Sequence, residues 1–306
     1  MIALCTRWTS GREGIDPRRL LPDILDLGFQ HVALDGRLPR PWLAKMRPEI
    51  ESGAARVVAL TGFVPVPVAR EPGADPYEVL TLVSEDPSAR DLAERLFIDT
   101  IRYAADVECP TWILPLGRVE IDERREAFER FWREERIAEE EGVGLKEALY
   151  RERSRPARRA LERARRGLDA ILREADRLGV TVTFATPEGP GDLPAHGELE
   201  ALAHEYAGAP IGYWHHPARA VLRERFGWEP ESRWLDAFGP RLRGVTLSDL
   251  DGTTIVDLPA GEGGLGRRLA TPGATDATVR VLDPDPTRER AEIRDALAYL
   301  ADLGLR

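Results

Sequence analysis

Eight short β-like runs alternate with helical patterns along 306 residues. That alternation predicts an α/β chain folded as one (β/α)8 barrel. Two observations weigh against the main rival, a doubly wound sheet. Gly11 and Gly14, after the first run, are wrongly spaced for a dinucleotide fingerprint. The glycine-rich "GEGGLG" (261–266) has no Lys-Ser or Lys-Thr after it, so it is a poor phosphate loop.

The strand candidates are "IALC" (2–5), "HVALD" (31–35), "RVVALT" (56–61), "TWILPL" (111–116), "VTVTFAT" (180–186), "PIGYW" (210–214), "LRGVTLSD" (242–249) and "ATVRVLD" (277–283). Asp16-Pro17 reads as an N-cap with proline at the first helical position. Leu20, Leu21, Ile24 and Leu27 continue as an apolar stripe that Gly28 stops. The clearest helix is 155–178. Leu161, Ala164, Leu168, Ile171, Leu172, Ala175 and Leu178 line one face, Arg and Glu the other, and Gly179 ends it. The last helix, with Ile293, Leu297 and Leu300, is predicted to be capped by Thr287.

Two insertions interrupt this rhythm. Residues 62–85 form a proline-rich loop after the third strand. Residues 118–154, after the fourth, are very highly charged, with a weak stripe of Phe128, Phe131 and Trp132. This helical insertion is expected either to pack on its aromatic side or to serve as a lid or dimer contact, because it leaves the active face of a barrel. The chain is taken as a single domain, 1–306.

Composition excludes several function classes. No apolar run approaches the roughly 20 residues of a membrane span. The N-terminus lacks a basic segment followed by a long apolar one, so no secretory signal is expected. Cys5 and Cys109 are far apart and form no metal-ligand pair; buried thiols in a reducing cytoplasm are expected. A net charge of −10 argues against nucleic acid or an acidic membrane as main partner. A small-molecule substrate or ligand is expected instead, with a homo-oligomer open. Lys45 and Lys146 are the only lysines, Asn is absent, and Gln30 is the single Gln. Either heat tolerance or a high-GC genome produces that skew, and the two are compatible.

Barrel chemistry sits at the C-terminal ends of the strands. The polar residues expected there are Arg7, Trp8, Asp35, Thr61, Arg118, Thr186, Glu188, His215, His216, Thr246, Ser248, Asp249 and Asp283, with Glu262 in the last loop. Adjacent strand residues face opposite sides. His215 and His216 therefore do not share a ligand, and His215 is expected to be a structural hydrogen-bonding histidine. His31, His196 and His204 receive no role. Trp8, Trp42, Trp112 and Trp214 are all expected in the core or the pocket wall, and among them Trp8 and Trp214 are the best candidates for a sugar-stacking wall.

The segments "IGYWHHPARA", "RLRGVTLSDLDG" followed by "DLPAGEGGLG", and "ILREADRLGV" resemble the xylose isomerase-like TIM barrels, the sugar phosphate isomerase/epimerase superfamily. The resemblance spans essentially the whole chain. It implies a divalent metal held by glutamates ending strands five and eight and by Asp and His groups, with those glutamates also moving the substrate proton in many members. It implies a sixth strand ending like Trp-His-Asp-x-Gly-His and a seventh like His-x-x-Asp. Matched position by position, this chain departs from that set. Ala185 stands for the strand-five glutamate, His216 for the strand-six aspartate, Arg219 for the histidine beyond it and Thr246 for the strand-seven histidine. Pro115 replaces a histidine often found after strand four, and Asp283 the strand-eight glutamate. Asp249 and the Gly261-Glu262-Gly263 turn remain.

A hard divalent cation takes several oxygen ligands, carboxylates among them. Here one carboxylate survives in kind, and the fixed cation of Arg219 repels a metal. A degenerate metal site is therefore expected, with no cofactor beyond weakly bound divalent metal. The resulting hypothesis is an isomerase or epimerase acting on a small polyhydroxy or anionic substrate. His216 and Asp283 move protons, Asp249 orients a polar group, and Arg219 holds a substrate anion or enolate. Trp8, Trp214, Glu188 and Glu262 complete the expected substrate site. The alternative is a catalytically inactive barrel that binds a ligand or assembles subunits, with Asp249 and Asp283 merely pairing with Arg219. The related endonuclease branch is disfavoured by the net charge.

Overall fold

In the computed structural model, which describes residues 1–66, 80–259, 261, 263–271, 273–275 and 278–305, eight parallel strands close a barrel. They are β1 (Ile2–Cys5), β2 (His31–Leu34), β3 (Arg56–Thr61), β4 (Thr111–Ile113), β5 (Thr181–Ala185), β6 (Ile211–His215), β7 (Leu242–Leu247) and β8 (Val279–Leu282). Each pairs with its sequence neighbours, and β8 closes on β1 through Ile2–Arg280, Ala3–Val281 and Leu4–Leu282. The predicted (β/α)8 class and its eight strands are all present. Glu262 and most of the proline-rich loop lie outside the described residues.

The helices are α1 (Leu20–Leu25), α2 (Arg40–Glu51), α3 (Pro87–Asp106), α4 (Arg125–Arg133), α5 (Glu140–Leu178), α6 (His196–Glu205), α7 (Pro217–Arg225), α8 (Glu231–Phe238) and α9 (Arg290–Asp302). Asp16 caps as expected, its side chain accepting from the Arg18 amide, although the turn it opens is a short 3-10 one. Thr287 does not cap α9. Its hydroxyl donates to Asp285 (2.7 Å), while Glu289 caps the helix through a reciprocal pair with Glu292.

The largest difference lies in the insertion. The helix expected from 155 begins at Glu140 and runs unbroken for 39 residues through Pro156. Buried Leu149, Arg153, Ala157, Ala160, Ala164 and Leu168 carry one stripe across the proline. Arg153 anchors the added half. Its guanidinium donates to Glu198 (2.5 and 2.9 Å) and to the Asp192 carbonyl (3.0 Å). The aromatic stripe of α4 packs inward: Phe128 lies 5.8 Å from Phe226 and 5.3 Å from Trp228, ring centre to ring centre.

Small residues line much of the bore, among them Ala3, Cys5, Ala33 and Ala59, and one large ring, Trp214, fills it. Trp214 is 1% exposed and its indole N–H donates to Thr246 Oγ1 (2.8 Å). Opposite it, a Cβ on Gly244 would fall 2.2 Å from the indole. Only glycine at 244 leaves room for the ring. Gly244→Ala is therefore expected to cost about 1–3 kcal/mol or more through overpacking, read as a lower denaturant midpoint with altered tryptophan fluorescence. An unchanged midpoint would show that the ring yields freely.

Candidate functional site

β6 sends its side chains to alternate sides. Tyr213 and His215 point outward, toward α8. Tyr213 Oη is hydrogen-bonded to Thr186 Oγ1 (2.7 Å) and His215 Nδ1 (2.8 Å), and His215 Nε2 lies 3.4 Å from Glu231 Oε1. Burial pushes the Tyr213 hydroxyl far up, so it stays protonated. His215 is thus part of a buried structural chain. Trp214 points into the bore.

His216 follows as the N-cap residue of α7, where Pro217 enforces the turn into helix. Its amide donates to Thr186 Oγ1 (3.1 Å), and its Nδ1 meets Ser248 Oγ at 3.3 Å. The side chain is nearly enclosed. Burial first, then the Arg219 cation, hold its pKa well below the usual histidine value. His216 is a neutral imidazole at neutral pH.

A second group occupies the ends of β1, β2 and β8. Arg7 Nη1 lies 3.4 Å from Asp283 Oδ2, and Nη2 lies 3.5 Å from Asp285. Asp283 Oδ1 is buried and has no hydrogen-bond partner among the described residues. Burial, and then the charge of Asp283, raise Asp35 to about 6. Burial, Asp283 and Asp35 together keep the Cys5 thiol protonated. Asp35 and Arg7 stood among the expected strand-end residues, but neither received a role. The signal that would have singled them out is spatial: β1 lies between β2 and β8, so three acidic or basic strand ends adjoin. Around the ring, β2 and β6 are four strands apart. Asp35 and His216 therefore stand on opposite sides of the mouth.

The other expected site residues fall as follows. Arg219 pairs with Glu188 (3.4 Å) and donates to the Thr186 carbonyl (3.4 Å), while its Nε is buried without a partner among the described residues. Glu188, half exposed, also lies 3.7 Å from Arg125 of α4. Neither Asp249 nor Asp283 pairs with Arg219 among the described residues.

Asp249 is not part of this mouth. β7 ends at Leu247, Ser248 turns inward to His216, and Asp249 opens a hairpin with Thr254–Val256. Its Oδ1 accepts from the amides of Leu250 (2.8 Å) and Leu265 (3.0 Å). A Cβ on Gly263 would meet its carboxylate at 2.1 Å. Asp249 ties down the glycine turn, beside a cleft of about 330 Å³ shared with Arg288 and Glu292.

Neither tryptophan forms a stacking wall. Trp8 is fully buried, its N–H donating to the Arg288 carbonyl (2.8 Å) and its face covered by Arg12 at 4.1 Å. Trp214 is consumed by the bore.

No family model matches the chain, and no curated protein matches it. Solved structures do. A protein of Rhodospirillum rubrum named for xylose isomerase is 17% identical with a TM-score of 0.68, covering 99% of this chain and 98% of its own. The 3-keto-D-glucoside 4-epimerase of E. coli is 12% identical with a TM-score of 0.68, covering 98% of both chains. A xylose isomerase domain protein of Planctomyces limnophilus is 16% identical, with a TM-score of 0.61 over 99% and 96%. The chain has the fold of the xylose isomerase-like barrels.

The resemblance in sequence implies a metal on that fold, and the donors can be checked against it. Ala185 ends β5 without a donor atom. Thr246 is spent on the Trp214 indole, Asp283 on Arg7, and Arg219 lies close enough to depress His216. Among the described residues no three His, Cys, Asp or Glu side chains come together to hold a metal ion. This donor set does not fit a hard divalent cation.

Two opposite pH effects follow. An aspartate ionises near 3.8 when unfolded and Asp35 near 6 when folded. Folding is thus weakened as pH rises through that window. Asp35→Asn is expected to raise stability at pH 7.5 by about 1–2 kcal/mol, after allowance for partial exposure, and not at pH 4. His216 acts at the acid side: unfolded it protonates near 6.5, folded only well below. Stability is lost as pH falls through 6.5, and His216→Gln should flatten that limb. Melting temperatures from pH 4 to 8 check both; parallel curves for variants and parent would refute the assignments.

Proposed function

We propose that this chain is an isomerase- or epimerase-type enzyme that moves a proton on a small polyhydroxy or anionic substrate without a divalent metal. The observation that carries this reading is the opposition of Asp35 and His216 across the barrel mouth. Two-base epimerisation needs acid–base groups on both faces of one carbon. A neutral imidazole is available to accept a proton on one side. On the other, a carboxyl titrating at about 6 retains its proton in part of the population near neutrality and can return it.

His216 takes the proton from the carbon next to a substrate carbonyl. The electron pair moves onto the carbonyl oxygen as an enolate. Protonated Asp35 delivers a proton to the opposite face. Burial first, and then the nearby Asp283 charge, favour the protonated form of Asp35. Arg7 and Arg219 flank the mouth and supply the positive charge an enolate or substrate anion requires. Glu188 is exposed and held only at 3.4 and 3.7 Å, so a substrate anion can displace it from Arg219 at small cost. Asp249 is left out of this scheme.

The sugar isomerases and epimerases that share the fold support the substrate class. Incubation with ketoses and sugar phosphates in D2O, with a chelator present, is expected to place deuterium on the carbon next to the carbonyl. Asp35→Asn and His216→Gln should each slow that exchange by about 100-fold or more. Stoichiometric Mn, Zn or Mg that survives dialysis, with exchange lost on its removal, would overturn the metal-free scheme. Sugars that raise the melting temperature but never exchange would assign a ligand-binding barrel in place of an enzyme.

A further inference from the structure

A cleft of about 610 Å³ lies away from the acid–base groups, between α5, residues 81–85 and residues 118–120. Its character is unusual for a chain with a net charge of −10. Four guanidinium side chains line it: Arg118, Arg155, Arg159 and Arg163. Three of them rise from α5 at intervals of four residues, so they share one helix stripe. Like charges at that spacing repel, and two carboxylates, Glu85 and Glu120, stand against the four cations in the lining.

Two of the arginines are held in place. Arg163 Nε donates to the Val83 carbonyl (2.8 Å), with Glu85 a loose 3.8 Å away. Arg118 pairs with Glu123 at 2.5 Å. The other two, Arg155 and Arg159, are exposed and make no hydrogen bond or ion pair with the described residues. Elsewhere on α5, Arg165 and Arg177 each sit on a glutamate, while Arg158, Arg166 and Arg173 are exposed without a partner among the described residues; what sets Arg155 and Arg159 apart is their place in the cleft wall. Ser84 and Thr81 add hydroxyl groups to the same walls.

From this geometry we infer that the cleft is a binding site for the phosphate group of a small phosphate monoester. A guanidinium grips a phosphate through two parallel N–H donors, and a dianion relieves the repulsion along the stripe. The volume exceeds what a bare phosphate needs, which leaves room for a polar body. Glu85 and Glu120 supply acceptors for hydroxyls on that body. The site stands independently of the proton transfer at the mouth, because it uses none of the same side chains.

Isothermal titration with inorganic phosphate and with glycerol 3-phosphate, at constant ionic strength, tests it on the full chain. Both are expected to bind saturably, the monoester at least as tightly. Arg155→Gln/Arg159→Gln should weaken both at least tenfold with an unchanged circular dichroism spectrum. Arg166→Gln/Arg173→Gln removes the same charge from the same helix outside the cleft and should change neither. No saturable binding, equal losses in the two double variants, or binding of phosphate with exclusion of the monoester would each overturn the inference.

Discussion

The indole of Trp214 lying across the bore is the contact on which the rest of the barrel depends. Barrels of this type are usually filled by layers of branched side chains. Here Val58, Val279 and Val281 are joined by the small Ala3, Cys5, Ala33 and Ala59, which leave a space that one ring occupies. The ring needs glycine at 244 to lie flat and Thr246 to satisfy its N–H. It also fixes the direction of its neighbours on the strand. With Trp214 inward, Tyr213 and His215 must point outward and His216 must stand above the ring. The histidine doublet is split by strand geometry into a structural residue and a mouth residue.

Above that floor the charges are arranged as two separate sets. Arg7 serves Asp283 and Asp285 on one side, and Arg219 serves Glu188 on the other. Arg219 is balanced one for one by Glu188, whereas Arg7 faces two carboxylates and leaves its side with excess negative charge. Asp35 adds to that excess. Its carboxyl is enclosed and lies within reach of the Asp283 charge, and the result is a pKa of about 6 in place of 3.8. Asp35 is thereby kept at a cost to stability near neutral pH.

How much of this was legible in the sequence differs by level. The strands were, because short β-like runs and intervening helical stripes follow from local periodicity. The continuous α5 was not. The apolar stripe read from the sequence covers only 155–178, whereas burial of Leu149 and Arg153 carries it back across Pro156. The split of His215 from His216 was legible, since alternation on a strand is a local rule. The burial of Trp8 and Trp214 was not, because an aromatic near a strand end reads the same whether it faces a pocket or the bore. Asp249 matched a motif, yet its role is decided by where β7 stops, two residues before it. The influence of Asp283 on Asp35 depends on barrel closure, which brings residues 248 positions apart in sequence to the strand ends on either side of β1.

The insertion after the fourth strand is best understood through its length. A 39-residue helix extends about 58 Å, roughly three times the span of a six-residue strand. Its lower half therefore covers the barrel wall and its upper half must continue above the C-terminal face. That extension stays in place because Arg153 and Leu149 are buried on its inner side and Tyr150 packs edge-on against Trp228. What remains outward is a rigid charged stripe beside the β3 and β4 loops, which is how a segment that reads as surplus surface charge becomes one wall of a cleft. A lid would need an element that detaches at low cost. A helix continuous with the wall and pinned by a buried guanidinium is a fixed support instead.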